Sequence, residues 1–477
     1  MKLKRVLMLA VAAAVVLGTA GCKERTVEKG ETTELSFYFF GTTQKDQEMV
    51  WSDFNKKLEE KIGVRVKFNM LDIGSYDQKM TMMFSSGENF DICFASSWTN
   101  KYLDAVSKGA FCSIDENLKK FPQLYESIPE YVWDSVKYND KIYGVPCYQI
   151  MYIQDSVRVQ QKLAEKYNFK FSDVTNYDEI ENFLKIIKEN EPDVIPTTGF
   201  TKLLTYESLR GLPGIGVKKA TDDYNVEVLV NTQEYRDTLK RQRDWYEKGY
   251  IRKDVLTATN DNNDLLNLKY ATFTGTYKPG DEAETFAKYN APVLNIPLNE
   301  PYVQCAAGTA AVLAISANSK NTDKALEFIQ LMNTDKEMYN MFIYGIEGKH
   351  YTKDENNIVT RMENTGYTMA NQWMFGNQFN AFYTKDQVLG SWEKTDEINR
   401  SAKLSKLMGF QVDISNIQTE VAQCNAINSE YSYIYKGAMP YESVYEEYLK
   451  KLKDAGIEKI KDEVQRQINE WVANKDK

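Results

Sequence analysis

Cys22 is the residue whose neighbours most clearly ask for a reaction. It follows Thr19-Ala20-Gly21, three small residues, and these follow an unbroken apolar run from Val6 to Leu17 and a basic start at Lys2, Lys4 and Arg5. The pattern is that of a secretory signal ending in a lipobox-like site, where a thiol is diacylated and becomes the new N-terminus. The apolar run falls short of the about 20 residues that a membrane-spanning helix needs. Residues 1–22 therefore read as a cleaved lipoprotein signal peptide, with Cys22 as the point of lipid (palmitate) attachment.

The other reactive side chains argue against catalysis. His350 is the only histidine. It has no second ligand at metal spacing, and no Gly-x-Ser-x-Gly elbow exists to meet it, so it reads as a loop residue making hydrogen bonds. Cys93, Cys112, Cys147, Cys305 and Cys424 are odd in number, widely spaced and set among apolar neighbours, which describes buried thiols with room for one disulfide. The acidic run Asn260 to Asp264 lacks the glycine of a calcium loop, and GLPGIG at 211–216 fails the dinucleotide spacing. Among 68 acidic residues no motif singles out a glycosidase pair. The expectation is a protein that is not an enzyme, with no cofactor and no metal.

What remains is non-covalent chemistry, for which flat aromatic faces and amide or carboxylate rims are the tools. The chain holds 31 Tyr, 22 Phe and 7 Trp. Trp98 lies in S-S-W-T-N-K-Y, past the end of an expected strand, with Asn100 and Tyr102 beside it. Tyr277 follows another strand in T-G-T-Y, and Trp373 and Phe375 lie in N-Q-W-M-F-G-N. Gln44 and Gln149 fall in comparable loops. Those eight residues are the candidate ligand-binding set. Trp51, Trp133, Trp245 and Trp471 sit on helical stripes and are assigned to the core.

These loops need elements to hold them. Lys23 to Glu34 is charged and aperiodic and reads as a flexible tether. From Leu35 the pattern is β-α-β-α-β: LSFYFF, then Val50, Phe54, Leu58 and Ile62 ending at Gly63, then alternation from Val64 to Met70, then Tyr76, Met80 and Phe84 ending at Gly87, then FDICFA. Such a run predicts a parallel, helix-covered sheet with ligands at the carboxyl ends of its strands. A hairpin follows, turning at Asn139-Asp140, and Gly144 to Gln149 marks a first crossing between lobes. Val159, Leu163 and Tyr167 predict a helix, and Cys305 to Ser316 predicts a long buried strand. Helices are expected around Val421, Tyr441 to Leu452 and Ile460 to Trp471. Removing Lys2, Lys4 and Arg5 from the 59 basic groups leaves 56 against 68 acidic, a net −12, which disfavours nucleic acid as a partner.

The stretch AISANSKNTDKALEFIQLM at 314–332 resembles the strand-loop-helix of extracellular solute-binding proteins of ABC importers, of the large carbohydrate-binding family. KYNDKIYGVP, RDWYEKGYIRKD and YGIEGKHYTK point the same way. The end of the chain, from MGFQVDISNIQTEVAQ through KLKDAGIEKIKDEVQRQINEW, is similar to the C-terminal region of a firmicute lipoprotein subfamily. The resemblance implies an α/β fold of the periplasmic-binding-protein type II, two lobes joined by a multi-segment hinge with ligand clamped between them. It places lobe 1 at 35–145 plus about 308–366 and lobe 2 at 146–301 plus about 378–477, with crossings near 144–149, 302–308 and 366–377. It implies a monomer, lipid-anchored on the extracytoplasmic face of the cell membrane, that takes a saccharide and hands it to ABC permease subunits. It also implies that Trp98 stacks on a sugar ring. A surface-anchored carbohydrate-active enzyme and a binding protein for a non-sugar solute such as a peptide are the alternatives.

Overall fold

The computed structural model describes residues 32–475 apart from Asn260 and Asn364; the signal and nearly all of the tether lie outside them. The main strands in chain order are β1 (Thr33–Phe40), β2 (Val64–Leu71), β3 (Ile92–Ala95), β4 (Gly144–Pro146), β5 (Asp155–Gln160), β6 (Ile195–Thr197), β7 (Tyr270–Thr276), β8 (Val293–Pro297), β9 (Tyr302–Val303), β10 (Val312–Ile315) and β11 (Lys403–Leu404). They form a five-stranded sheet in the order β2-β1-β3-β10-β4 and a four-stranded sheet in the order β8-β5-β7-β6. In the first, β1 runs parallel to β2 and β3, while β10 runs antiparallel to β3 and β4.

The first βαβαβ unit forms for local reasons. The Gln47–Ile62 helix buries Val50, Phe54 and Leu58 one turn apart and stops at Gly63, whose φ of 65° few other residues tolerate. Residues 64–70 alternate, so Val64, Val66 and Phe68 face the core. Strand β1 begins at Thr33, which pairs with Val64; two residues of the expected tether belong to the sheet.

Two expectations fail. Val159 lies in β5, not in a helix, because β5 is central in its sheet and takes partners from both β7 and β8. Of the expected long strand at 305–316, only Val312–Ile315 forms a strand, extended by a bridge from Ser316 to Phe111, since Ala307–Ala310 is a 3-10 turn.

One apolar cluster joins both faces of the first sheet with the helices at 322–344 and the loops through Phe382. A second gathers the 209–239 region with Leu407 to Ile468, and a third fills the far side of the second sheet. The C-terminal helices at 418–475 thus complete the second lobe.

The chain passes between lobes three times, and each passage is tied on both sides. The first, 147–154, is held to lobe 1 by the Asn399 side chain, which accepts from Met151 N at 2.8 Å and donates to Gln149 O at 2.7 Å. It is held to lobe 2 by paired backbone bonds between Ile153 and Tyr302. The second is tied to lobe 2 by Glu207, fully buried, which accepts from Tyr302 Oη at 2.8 Å and Cys305 N at 2.7 Å. Its lobe 1 tie is Gly308 N donating to Ser135 Oγ at 2.9 Å. The third runs through β11, tied to lobe 2 just beyond it, where Ser405 Oγ also donates to Glu207 at 2.6 Å, and to lobe 1 just before it, where Tyr131 Oη donates to Asn399 O at 3.0 Å. The expected crossing at 366–377 instead packs into the first cluster, with Met374 and Phe375 buried there, and the chain leaves lobe 1 only after the Ser391–Ser401 helix.

Candidate functional site

The crossings join the two sheets at particular ends, and those ends face each other. On lobe 1 they are the carboxyl ends of β1, β2 and β3, continued by Gly41, Asp72 and Ser96. On lobe 2 they are the carboxyl ends of β6 and β7 and the start of β5, because Thr276 pairs with Asp155.

Trp98 stands at the lobe 1 rim with 48% of its surface exposed. Its indole packs edge-on against Phe40 at 5.6 Å and lies 6.2 Å from the half-buried Trp373, and both indoles rest on Phe94. Trp98 Nε1 donates to Ala310 O at 3.2 Å, which fixes the ring plane. The turn beneath is built by Ser96, whose hydroxyl donates to Thr99 O and accepts from the Trp98 and Thr99 amides.

Beside this shelf a cavity of about 390 Å³ opens between Gly41, Gln44, Asp72, Met369 and Asn371. Gln44 is anchored at its edge, its side-chain oxygen accepting from Thr368 N at 2.5 Å. Lobe 2 contributes a second cavity of about 390 Å³, lined by Lys202, Tyr206, Lys219, Tyr302 and Tyr435. There Lys202 pairs with Asp155 at 2.7 Å, and burial holds Lys219 below the ordinary lysine pKa. Tyr277 is half-buried at the end of β7, with its amide donating to Gln154 O at 2.8 Å beside the first crossing. Gln149 lies on that crossing.

Asn100, Tyr102 and Phe375 are buried beneath this surface, and of the three only Phe375 lines the cavity beside Gln44. Asn100 supports the strand end from below, its amide donating to Phe94 O at 2.8 Å. Tyr102 is fully buried, stacks on Phe111 and donates to Val136 O at 3.0 Å. Phe375 is 2% exposed and packs edge-on against Phe39 and Phe342. Asn100 and Phe375 each sit two residues from an indole that does reach the rim, and Tyr102 sits four from one, at the start of the Tyr102–Ser107 helix; packing of irregular loops against the core turns all three inward.

His350 is buried in the first lobe, accepting from Ile346 N through Nδ1 at 2.9 Å and lying 3.2 Å from Asp46 through Nε2. That contact holds the Asp46 carboxyl below its usual range. Among the described residues the five cysteines are free; burial pushes the Cys147 thiol up to about 12 and Cys93 higher still, so neither is a nucleophile. No group of three or more His, Cys, Asp and Glu that could hold a metal occurs among the described residues.

Residues 41–339, more than half of the chain, match the family of bacterial extracellular solute-binding proteins. The chain belongs to that family. The helical end of this solute-binding protein, residues 406–473, matches a domain of unknown function, DUF3502. A carbohydrate ABC transporter substrate-binding protein of Streptococcus pneumoniae serotype 4 is 29% identical over 485 residues, 98% of this chain and 97% of that one. The crystal structure of the N-glycan transport solute-binding protein NgtS of Streptococcus pneumoniae has a TM-score of 0.83 at 29% identity, covering 93% of this chain and all of that one. The same relative in complex with Man1GlcNAc gives 0.74 at 28% identity, covering 92% and 100%. The architecture is thus the two-lobe type II fold. No helix among the described residues is long and apolar enough to cross a membrane.

Proposed function

We propose that this protein captures an oligosaccharide between its lobes and presents it to the permease of an ABC importer, held at the outer face of the cell membrane by a diacylated Cys22 and working as a monomer. The observation that carries the reading is the pair of indoles, Trp98 and Trp373, side by side at 6.2 Å on the lobe 1 rim. Their apolar faces suit the C–H face of a sugar ring, and Gln44, Asn371 and Asp72 supply hydroxyl partners around the adjoining cavity. The carbohydrate-binding and N-glycan-binding names of the similar pneumococcal proteins support the same ligand class.

Binding is accompanied by closure of lobe 2 on lobe 1. Each crossing has its two ties only a few residues apart, so bending falls on Tyr152, on Ala306-Ala307 and on Ala402 to Leu404, while both sheets move rigidly. The lower TM-score to the glycan complex of NgtS than to the other NgtS structure supports a lobe arrangement that changes with ligand.

The test is titration calorimetry with a panel of neutral and charged oligosaccharides and peptides, with the sugar recovered afterwards and analysed. Saturable binding of a saccharide in unchanged form supports the reading. Products would support the carbohydrate-active enzyme instead, and binding of peptides alone would overturn the ligand class.

A further inference from the structure

The Gly-rich turn at 211–216 meets the lobe 2 cavity only through Gly214. In the structure it is the tip of a hairpin, Tyr206–Ser208 against Ile215–Lys218, closed by Leu209 N donating to Ile215 O at 2.9 Å. Gly211 and Gly214 take φ of 83° and 69°, so the chain turns tightly enough to hold the preceding residue, Arg210, out from lobe 2. Arg210 reaches lobe 1, where Nη1 donates to the hydroxyl of Ser97, the neighbour of Trp98.

A cavity of about 230 Å³ lies around this contact, lined by Ser97, Lys101 and Asp104 of lobe 1, by Arg210 of lobe 2 and by Thr309 of the second crossing. The other cations on the lobe 2 side differ from Arg210 in their company. Lys202 is paired with Asp155, and Lys219 feels the charges of Asp155, Glu207 and Glu234. Arg210 is exposed, forms no ion pair among the described residues, and its one hydrogen-bond partner there is a neutral hydroxyl. An exposed guanidinium that holds no anion is open to one, and its planar fork matches an oxyanion in bidentate fashion.

We propose that Arg210 and Lys101 form an acidic-group subsite next to the Trp98 platform, so that the oligosaccharide carries an anionic substituent, the carboxylate of a uronic or sialic acid residue or a sulfate ester. This deepens the saccharide reading and rests on it. Ser97 then acts as the occupant of the guanidinium in the absence of ligand, to be displaced when the anion arrives, so that the anion itself bridges Arg210 of lobe 2 and Lys101 of lobe 1.

The experiment compares calorimetric affinity for trigalacturonate, for its methyl ester and for a sulfated neutral trisaccharide with its unsulfated parent, using wild type, Arg210→Ala and Arg210→Lys. The acidic member of at least one pair should bind more tightly than its neutral counterpart. Arg210→Ala should lower that affinity about 10- to 100-fold while changing the neutral one less than about threefold, and Arg210→Lys should fall between, as a charge without the fork. The acidic affinity should also weaken with added salt. Preference for the carboxylate or the sulfate pair identifies the group. Binding of the neutral members with equal affinity, insensitive to Arg210→Ala, overturns the subsite and leaves the saccharide reading standing; absence of binding to every saccharide tested here and in the panel overturns both. An unchanged denaturant midpoint for Arg210→Ala excludes misfolding as the cause of a loss.

Discussion

Trp98→Ala separates a binding role from a packing role, because the two make different demands on the same ring. With 48% of Trp98 exposed, about half of the roughly 250 Å² of an indole is covered, and at about 25 cal/mol/Å² that burial contributes at most about 3 kcal/mol. Compactness of the unfolded chain reduces the figure, and removal leaves an open notch in place of a sealed cavity, so a stability loss of about 1–2 kcal/mol is expected. Trp245, 1% exposed and edge-on to Phe200 at 6.0 Å, is the contrast: its truncation should cost about 3–5 kcal/mol. In binding the order reverses. The free face of Trp98 is where a sugar ring stacks, and losing such an anchor costs on the order of 2 kcal/mol, or about thirtyfold in Kd. Trp245→Ala should leave Kd unchanged at temperatures where it remains folded. The assay is a pair of measurements on each variant, urea midpoint and calorimetric Kd for the tightest saccharide. A Trp98→Ala protein whose midpoint drops as far as that of Trp245→Ala, or whose Kd moves less than about threefold, would refute the stacking argument.

Other perturbations probe the hinge, the motion and the anchor. Glu207→Gln turns an amide toward a donor in a site that binds three, so it should lose about 2–4 kcal/mol of stability in urea; a midpoint equal to wild type would show that the carboxylate does not tie the crossings. Small-angle scattering should give a smaller radius of gyration at saturating saccharide than without it, and identical curves would count against lobe closure. Cys22→Ala should abolish palmitate labelling and release the protein from the membrane fraction, whereas equal labelling of both proteins would remove the lipid anchor from the proposal.

By itself the sequence determined what depends on near neighbours. The helix at 47–62, the alternation of 64–70 and the glycine stop at Gly63 are set by side chains within a turn or two of one another, so periodicity alone locates them. The loop carrying Trp98 was placed past a strand end for the same reason. What only the tertiary structure decided is direction and distance in space. Nothing local distinguishes Trp98, which stays on the rim, from Tyr102, which enters the core to meet Phe111 and Val136. The same holds for Trp373 beside Phe375. Strand β5 carries the alternation Val157, Val159 against Ser156, Arg158, Gln160, but it is too short for the pattern to be separated from the Gln161–Lys166 helix that follows, and its pairing with β7 joins residues more than a hundred positions apart. The crossings are defined by side chains remote in the chain: Asn399 on 149 and 151, Glu207 on 302, 305 and 405. Arg210 could have been noticed from the glycines that follow it, but its meeting with Ser97 spans 113 positions. A window of sequence senses contacts that the chain makes with itself nearby, whereas a cleft between two lobes is made of contacts that close only when both lobes are folded.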